Sequence, residues 1–159
     1  MAAANLGSDL TILGLNPASA QGDRAADHWL PRLIQHQVID ASDIPDLVPI
    51  LSVMAAANHG AVFTNIGRLR LKESDRVSSV IDMLTSLGGQ AEATADTLTV
   101  YGTGLRGGTV DACNDHRIAM SAAIAATVCT EPVTILGVQC VEKSYPKFWA
   151  EYARLGGSL

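Results

Sequence analysis

"DLVPILSVMAAANHGAVFTNIG", residues 46–67, and "DHRIAMSAAIAATVCTEPVTILG", residues 115–137, are two copies of one pattern. Each opens on an aspartate (Asp46, Asp115), runs through an alanine-rich apolar segment and closes on a β-branched run that stops at a glycine (Gly67, Gly137). Self-similarity at a fixed period marks a fold assembled from one supersecondary unit used more than once. The spacing holds at 69 residues for the aspartates, 70 for the strand-end glycines and 68 for the glycines that close the next segment, Gly88 of "SLGG" and Gly156 of "RLGG". A third copy begins earlier, at "LTILGLNPASAQGD", with Gly14 in the place of Gly67 and Gly137. That copy is shorter: 32 residues separate Gly14 from Asp46, against 48 between Gly67 and Asp115, which leaves little room for a strand pair.

Local signals give the unit its elements. "AVFTNI", "TLTVYG" and "PVTILG" are β-branched apolar runs bounded by Gly or Pro and predict strands, and the chain opens almost directly on another at "LTILG". "SDRVSSVIDMLTSLGG" begins with N-cap residues, places Val77, Val80, Ile81, Leu84 and Leu87 on one helical face, and ends on the expected Gly stop. The alanine-rich segments predict helices buried on most sides. "GTGLRGG", residues 102–108, fits G-x-G-x-x-G, but polar "TVDACND" follows instead of an amphipathic helix, so it reads as a hairpin turn within a strand pair. The order helix, strand, helix, strand pair predicts an α+β fold (α/β layered). Residues 1–159 read as a single partial domain of a larger protein.

Composition narrows the function classes. With 159 residues, 48% of them hydrophobic, and a mean hydropathy of +0.21, the chain can bury a substantial core. A formal charge of -5 and a pI near 5.2 argue against nucleic acid or an anionic membrane as partner. Cys113, Cys129 and Cys140 are odd in number and form no CxxC pair, which suits free thiols in a reducing cytosol. The N-terminus carries no targeting signal, and the longest uncharged run is interrupted by Pro49, Asn58, His59 and two glycines, so the expectation is a cytoplasmic protein without a membrane span. Cys113 and His116 are three apart, but no second cluster completes a metal site.

The charges are concentrated where the unit's strands pass into its helices. "LRLKESDRV", residues 69–77, holds Lys72, Glu73, Asp75 and Arg76 within five positions, in a chain of which 17% is charged. Taken singly it is a solvated helix start, with Glu73, Ser74 and Asp75 favouring the N-terminal dipole. The repeat places "NDHR" and "VEKS" at corresponding junctions. Helix N-termini gathered at one end of repeated units bind anions, and Arg76, Arg117 and Lys143 are the side chains able to clamp a phosphate or a carboxylate.

"LRLKESDR", "ADTLTVYGTG", "NDHRIAMSAAIAA" and "CVEKSYPKFW", in that order, together with "IPDLVPILSVMA" and "NPASAQGD", resemble the 5-enolpyruvylshikimate-3-phosphate synthase family through nearly the whole chain. The resemblance implies βαβαββ units, three per domain in two domains with the active site between them. About two and a half units, the greater part of the C-terminal domain, would be present here, and the N-terminal domain would be absent. It implies transfer of the enolpyruvyl group of phosphoenolpyruvate to the 5-hydroxyl of shikimate 3-phosphate with release of phosphate, without metal or organic cofactor. Asp46 would handle the proton of the attacking hydroxyl, and Glu73 would exchange protons with the methylene of phosphoenolpyruvate. Lys72 would contact shikimate 3-phosphate, Arg76, Arg117 and Lys143 would hold phosphoenolpyruvate, and His116 would line the site. Arg68 stands where some members carry a substrate-contacting Asn. The family's N-terminal domain supplies a catalytic lysine, another arginine and most shikimate-phosphate contacts, so the resemblance implies half an active site, inactive alone. Two alternatives share the scaffold: a non-catalytic module binding a phosphorylated metabolite, and the sister transferase acting on UDP-N-acetylglucosamine, against which "KESDR" with "NDHR" argues.

Overall fold

The computed structural model describes residues 1–16 and 18–158, so Pro17 of "NPASAQGD" lies outside the described residues. Among the described residues of 1–36 there are only short helical pieces, α1 (Ala2–Asn5), α2 (Ala26–Trp29) and the 3-10 turns Gly22–Ala25 and Leu30–Ile34. The strand expected at "LTILG" is not formed: residues 8–16 carry no strand, and Leu13 is 86% exposed. A strand is held by its neighbour's hydrogen-bond ladder, and no strand among the described residues runs beside this one.

One complete unit follows. It consists of β1 (Gln37–Asp40), α3 (Val48–Ala57), β2 (Ala61–Thr64), a 3-10 turn at Ile66–Leu71, α4 (Arg76–Ser86), β3 (Gln90–Ala93) and β4 (Thr97–Tyr101), in the order βαβαββ. The sheet order is β1-β2-β4-β3, with β1 parallel to β2 and the other pairs antiparallel. Register sets Ile39 beside Phe63 and Phe63 beside Leu98, and all three are buried, so one face of the sheet meets the core. Alternation does this, because side chains two apart share a face.

The helices form where the sequence signals place them. Pro49 sits in the first turn of α3, where its missing N–H is not needed, and the small side chains that follow let the helix be buried nearly all round. In α4 the Asp75 side chain caps the helix by accepting from the backbone N–H of Val77 and Ser78 at 3.2 and 3.4 Å. Its inner face buries Val77, Val80, Met83 and Leu84, and each such side chain contributes roughly 1.5–3 kcal/mol. Gly88, with φ of +82°, turns the chain out of the helix.

The second unit repeats the order through β5 (Gly108–Asp111), α5 (His116–Ala125), β6 (Val133–Leu136), a 3-10 turn at Val138–Lys143 and α6 (Phe148–Arg154). β5 runs parallel to β6 as β1 does to β2, and no closing strand pair follows among the described residues. α3 packs against α5, so Val110, Ile118 and Ala122 of the second unit share one core with the first.

"GTGLRGG" is not a hairpin turn. The strand pair is β3 with β4, and β4 and β5 belong to different sheets, so residues 102–107 cross from one unit to the next. Gly102, Gly107 and Gly108 are required by close approach instead of by a turn: a Cβ on Gly102 would lie 2.2 Å from the carbonyl oxygen of Asn58, and one on Gly108 2.2 Å from that of Ser86.

Candidate active site

Arg76 is the first residue of α4, yet its side chain is wholly buried. Its Nε donates to Asp115 Oδ2 at 2.9 Å and its Nη1 to Asp46 Oδ1 at 2.7 Å and the Pro45 carbonyl at 3.4 Å. Its Nη2 donates to Glu73 Oε2 at 2.6 Å and to Asp115 Oδ1 at 3.3 Å. A guanidinium has five N–H donors, and here five acceptors from four residues meet them. Burial opposes the charge of Arg76, but the hydrogen bonds and the charges of Asp115, Asp46 and Glu73 outweigh it and hold its pKa above the usual arginine value.

Around this hub lie the other charges. Lys72 Nζ is 3.0 Å from Asp46 Oδ1, and Arg117 Nη2 is 3.6 Å from Asp46 Oδ2. Arg117 Nη1 also donates to the Asp46 carbonyl at 3.3 Å and to Asp23 Oδ2 at 3.2 Å. Desolvation pushes the Asp46 carboxyl upward, but the hydrogen bonds from Arg76 and Lys72 and the charge of Arg117 win, leaving its pKa below the ordinary carboxylate value. A cleft of about 480 Å³, lined by Gln21, Asp23, Asp46, Arg68, Lys72 and Arg117, opens beside the cluster.

Three helix starts build the site. Asp46 precedes α3, Lys72 and Glu73 precede α4, and Asp115 caps α5 by accepting from the Arg117 backbone N–H at 2.8 Å. Asp46, Lys72, Glu73, Arg76 and Arg117 are thus joined by direct contacts. His116 stands at the first position of α5 with Nδ1 4.0 Å from Asp115 Oδ1, beyond hydrogen-bond reach. Lys143 is held apart from the cluster, with its Nζ donating to Asn114 Oδ1 at 2.8 Å.

Sequence reasoning missed Asp115 as a site member, along with Ser74, whose hydroxyl donates to Asp115 Oδ2 at 3.3 Å, and Asp23 on Arg117. The signal for Asp115 was the repeat. Asp46 and Asp115 open equivalent segments, and they converge on one guanidinium. Asp23 ends "NPASAQGD", but nothing in that segment's sequence pairs it with Arg117.

Fold and site together define an α+β protein of repeated units that gathers cleft carboxylates and cations at neighbouring helix N-termini. The profile of EPSP synthase (3-phosphoshikimate 1-carboxyvinyltransferase) matches residues 23–152, and the chain belongs to that family. It is 39% identical over 173 residues to a 3-phosphoshikimate 1-carboxyvinyltransferase of Clostridium kluyveri, covering 97% of this chain and 41% of the relative. With the protein of the same description from Clostridium acetobutylicum it shares 42% identity over 176 residues, covering 100% of this chain and 41% of the relative. The structure of EPSP synthase from Acinetobacter baumannii is similar with a TM-score of 0.67 and 32% identity, over 72% of this chain and 28% of that one. The chain therefore spans about 41% of the length of the curated relatives it matches. An alignment of 176 positions that takes in all 159 residues leaves positions of the relative without a counterpart here.

Proposed function

We propose that the chain supplies one face of an active site that transfers the enolpyruvyl group of phosphoenolpyruvate to the 5-hydroxyl of shikimate 3-phosphate and releases phosphate. The observation that carries this reading is the convergence of Asp46 and Glu73 on Arg76, with Lys72 and Arg117 against Asp46. The reaction adds the hydroxyl oxygen to C2 of the enolpyruvyl group and a proton to its methylene carbon. Loss of phosphate and of a methyl proton then restores the double bond. A base for the hydroxyl and an acid for the carbon are required, and two carboxylates in unlike surroundings supply them. Asp46, kept ionised by its cations, takes the hydroxyl proton. Glu73, half exposed at the mouth of the hub, serves the carbon.

Both substrates are anions, so cations must hold them together. Lys72 serves shikimate 3-phosphate; Arg117 and Lys143 serve phosphoenolpyruvate. Arg76 joins them only by exchanging one of its internal acceptors for a substrate oxygen, and Glu73 is the acceptor at its exposed edge. The greater part of a C-terminal domain is the role proposed for residues 1–159, with the N-terminal domain of a full-length enzyme as the partner that completes the site.

The test is phosphate release from phosphoenolpyruvate and shikimate 3-phosphate by this chain mixed with the N-terminal domain of the Clostridium acetobutylicum relative. Turnover in the mixture alone, lost on Glu73→Gln, is the expected result. An active mixture unaffected by both Glu73→Gln and Asp46→Asn overturns the assigned roles.

A further inference from the structure

Of the four cations predicted for the site, Lys72, Arg76 and Arg117 each contact at least one carboxylate. Lys143 alone does not: among the described residues it forms no ion pair, and its side-chain partner is the neutral amide oxygen of Asn114, 2.8 Å away. The backbone goes to some length to place that amide. Cys113 and Asn114 are consecutive non-glycine residues in the left-handed region, with φ of 50° and 55°, a conformation Asn tolerates better than most side chains. The strained pair is pinned on both sides. Cys113 N–H donates to Asp111 Oδ1 at 2.8 Å, Asp115 N–H to the Ala112 carbonyl at 2.8 Å, and Ala112 N–H to Leu136 at 3.0 Å. Strain of this kind persists only where the surroundings over-determine it, and it concentrates at working sites.

We propose that Asn114 is a positioning residue that holds the Lys143 ammonium beside the start of α5 without neutralising it. The inference rests on the anion-binding reading of the preceding section. A carboxylate at position 114 would orient Lys143 equally well but would cancel the charge that an incoming phosphate or carboxylate needs. An amide oxygen fixes the direction and leaves the positive field in place. Asn114 directly precedes Asp115, which fixes Arg76 and the first turn of α5, so one short loop sets the position of both charges.

The test uses this chain with inorganic phosphate as probe, its affinity read by NMR titration, alongside the Lys143 Nζ signal as a direct report of the hydrogen bond. Asn114→Gly accepts a φ of 55° without strain and removes only the amide. Its expected result is loss of the Nζ signal and about threefold weaker phosphate binding, whereas Asn114→Asp keeps the signal but weakens phosphate by on the order of tenfold. In a Lys143→Met background neither substitution should weaken phosphate further, a coupling that a merely structural role would not produce. An Nζ signal unchanged in Asn114→Gly, or affinities within twofold of the parent in both variants, overturns the proposal. A parent chain that shows the Nζ signal but binds no phosphate overturns the anion-site reading, and the proposal falls with it.

Discussion

Arg76 and Asp115 are both fully buried and form the one wholly buried ion pair among the described residues. Two buried opposite charges gain little over an apolar pair, because desolvation offsets most of their attraction, but removing one partner leaves the other uncompensated. Arg76→Leu should therefore cost about 3–5 kcal/mol in urea unfolding, far more than loss of the exposed pair Arg154–Glu151, whose worth is roughly 0–1 kcal/mol. Replacing both partners, as Arg76→Met with Asp115→Leu, should recover much of that loss. A single substitution costing under about 1 kcal/mol would show that Asp115 is satisfied by its other donors, the Ser74 hydroxyl and the Arg117 backbone N–H. The composition of "KESDR" gave no hint of this burial. Four charges in five positions read as a wetted surface; the repeat pairs Asp115 with Asp46, but only the folded chain brings that second aspartate, 39 residues away from Arg76, to the guanidinium and draws it inward.

Elements whose stability is local were legible, and those fixed by tertiary contact were not. α4 carries its own cap, apolar face and stop, so its sequence specifies it almost unaided. "LTILG" and "PVTILG" share the same strand chemistry, yet only the second forms a strand, because β5 lies beside it. Tertiary pairing overrode propensity there. The misread "GTGLRGG" has the same origin, since a glycine demanded by a neighbour's carbonyl looks in sequence like one demanded by a turn. Gly108 makes the distinction measurable. Its φ of +144° and the 2.2 Å approach to the Ser86 carbonyl mean that Gly108→Ala must displace β5 from the end of α4. A loss of about 2–3 kcal/mol, equivalent to roughly 5–10 °C in Tm, is expected. Gly104→Ala, at φ of +76° with open space around it, meets only the backbone penalty and should cost about half as much. Equal shifts in the two variants would return the segment to a turn-like role.

At the scale of the molecule, the site exists only where two units meet. Asp46, Glu73 and Arg76 come from the first unit, Asp115 and Arg117 from the second, and the core beneath them is continuous through α3 and α5. The alternative is a chain of semi-independent repeats, as in solenoids, where each unit unfolds on its own and contacts only its neighbours. The two tryptophans distinguish these pictures. Trp29 packs against the shared core near the first unit, and Trp149 packs on the smaller cluster of Ala112, Ala119, Cys140 and Val141 in the second. Ile135 touches both clusters, which ties the smaller one to the larger. In single-tryptophan variants, Trp149→Phe reporting on Trp29 and Trp29→Phe reporting on Trp149, the urea midpoints should coincide, as one cooperative transition requires. Separate midpoints would mean that the second unit melts while the first persists. The junction would then open first, and Arg76 would lose Asp115 before either unit had lost its own helices, so the charge cluster would be the least stable part of the fold. Coincident midpoints place the cluster at the full stability of the core, which is what the proposed role requires of a pre-organised set of charges.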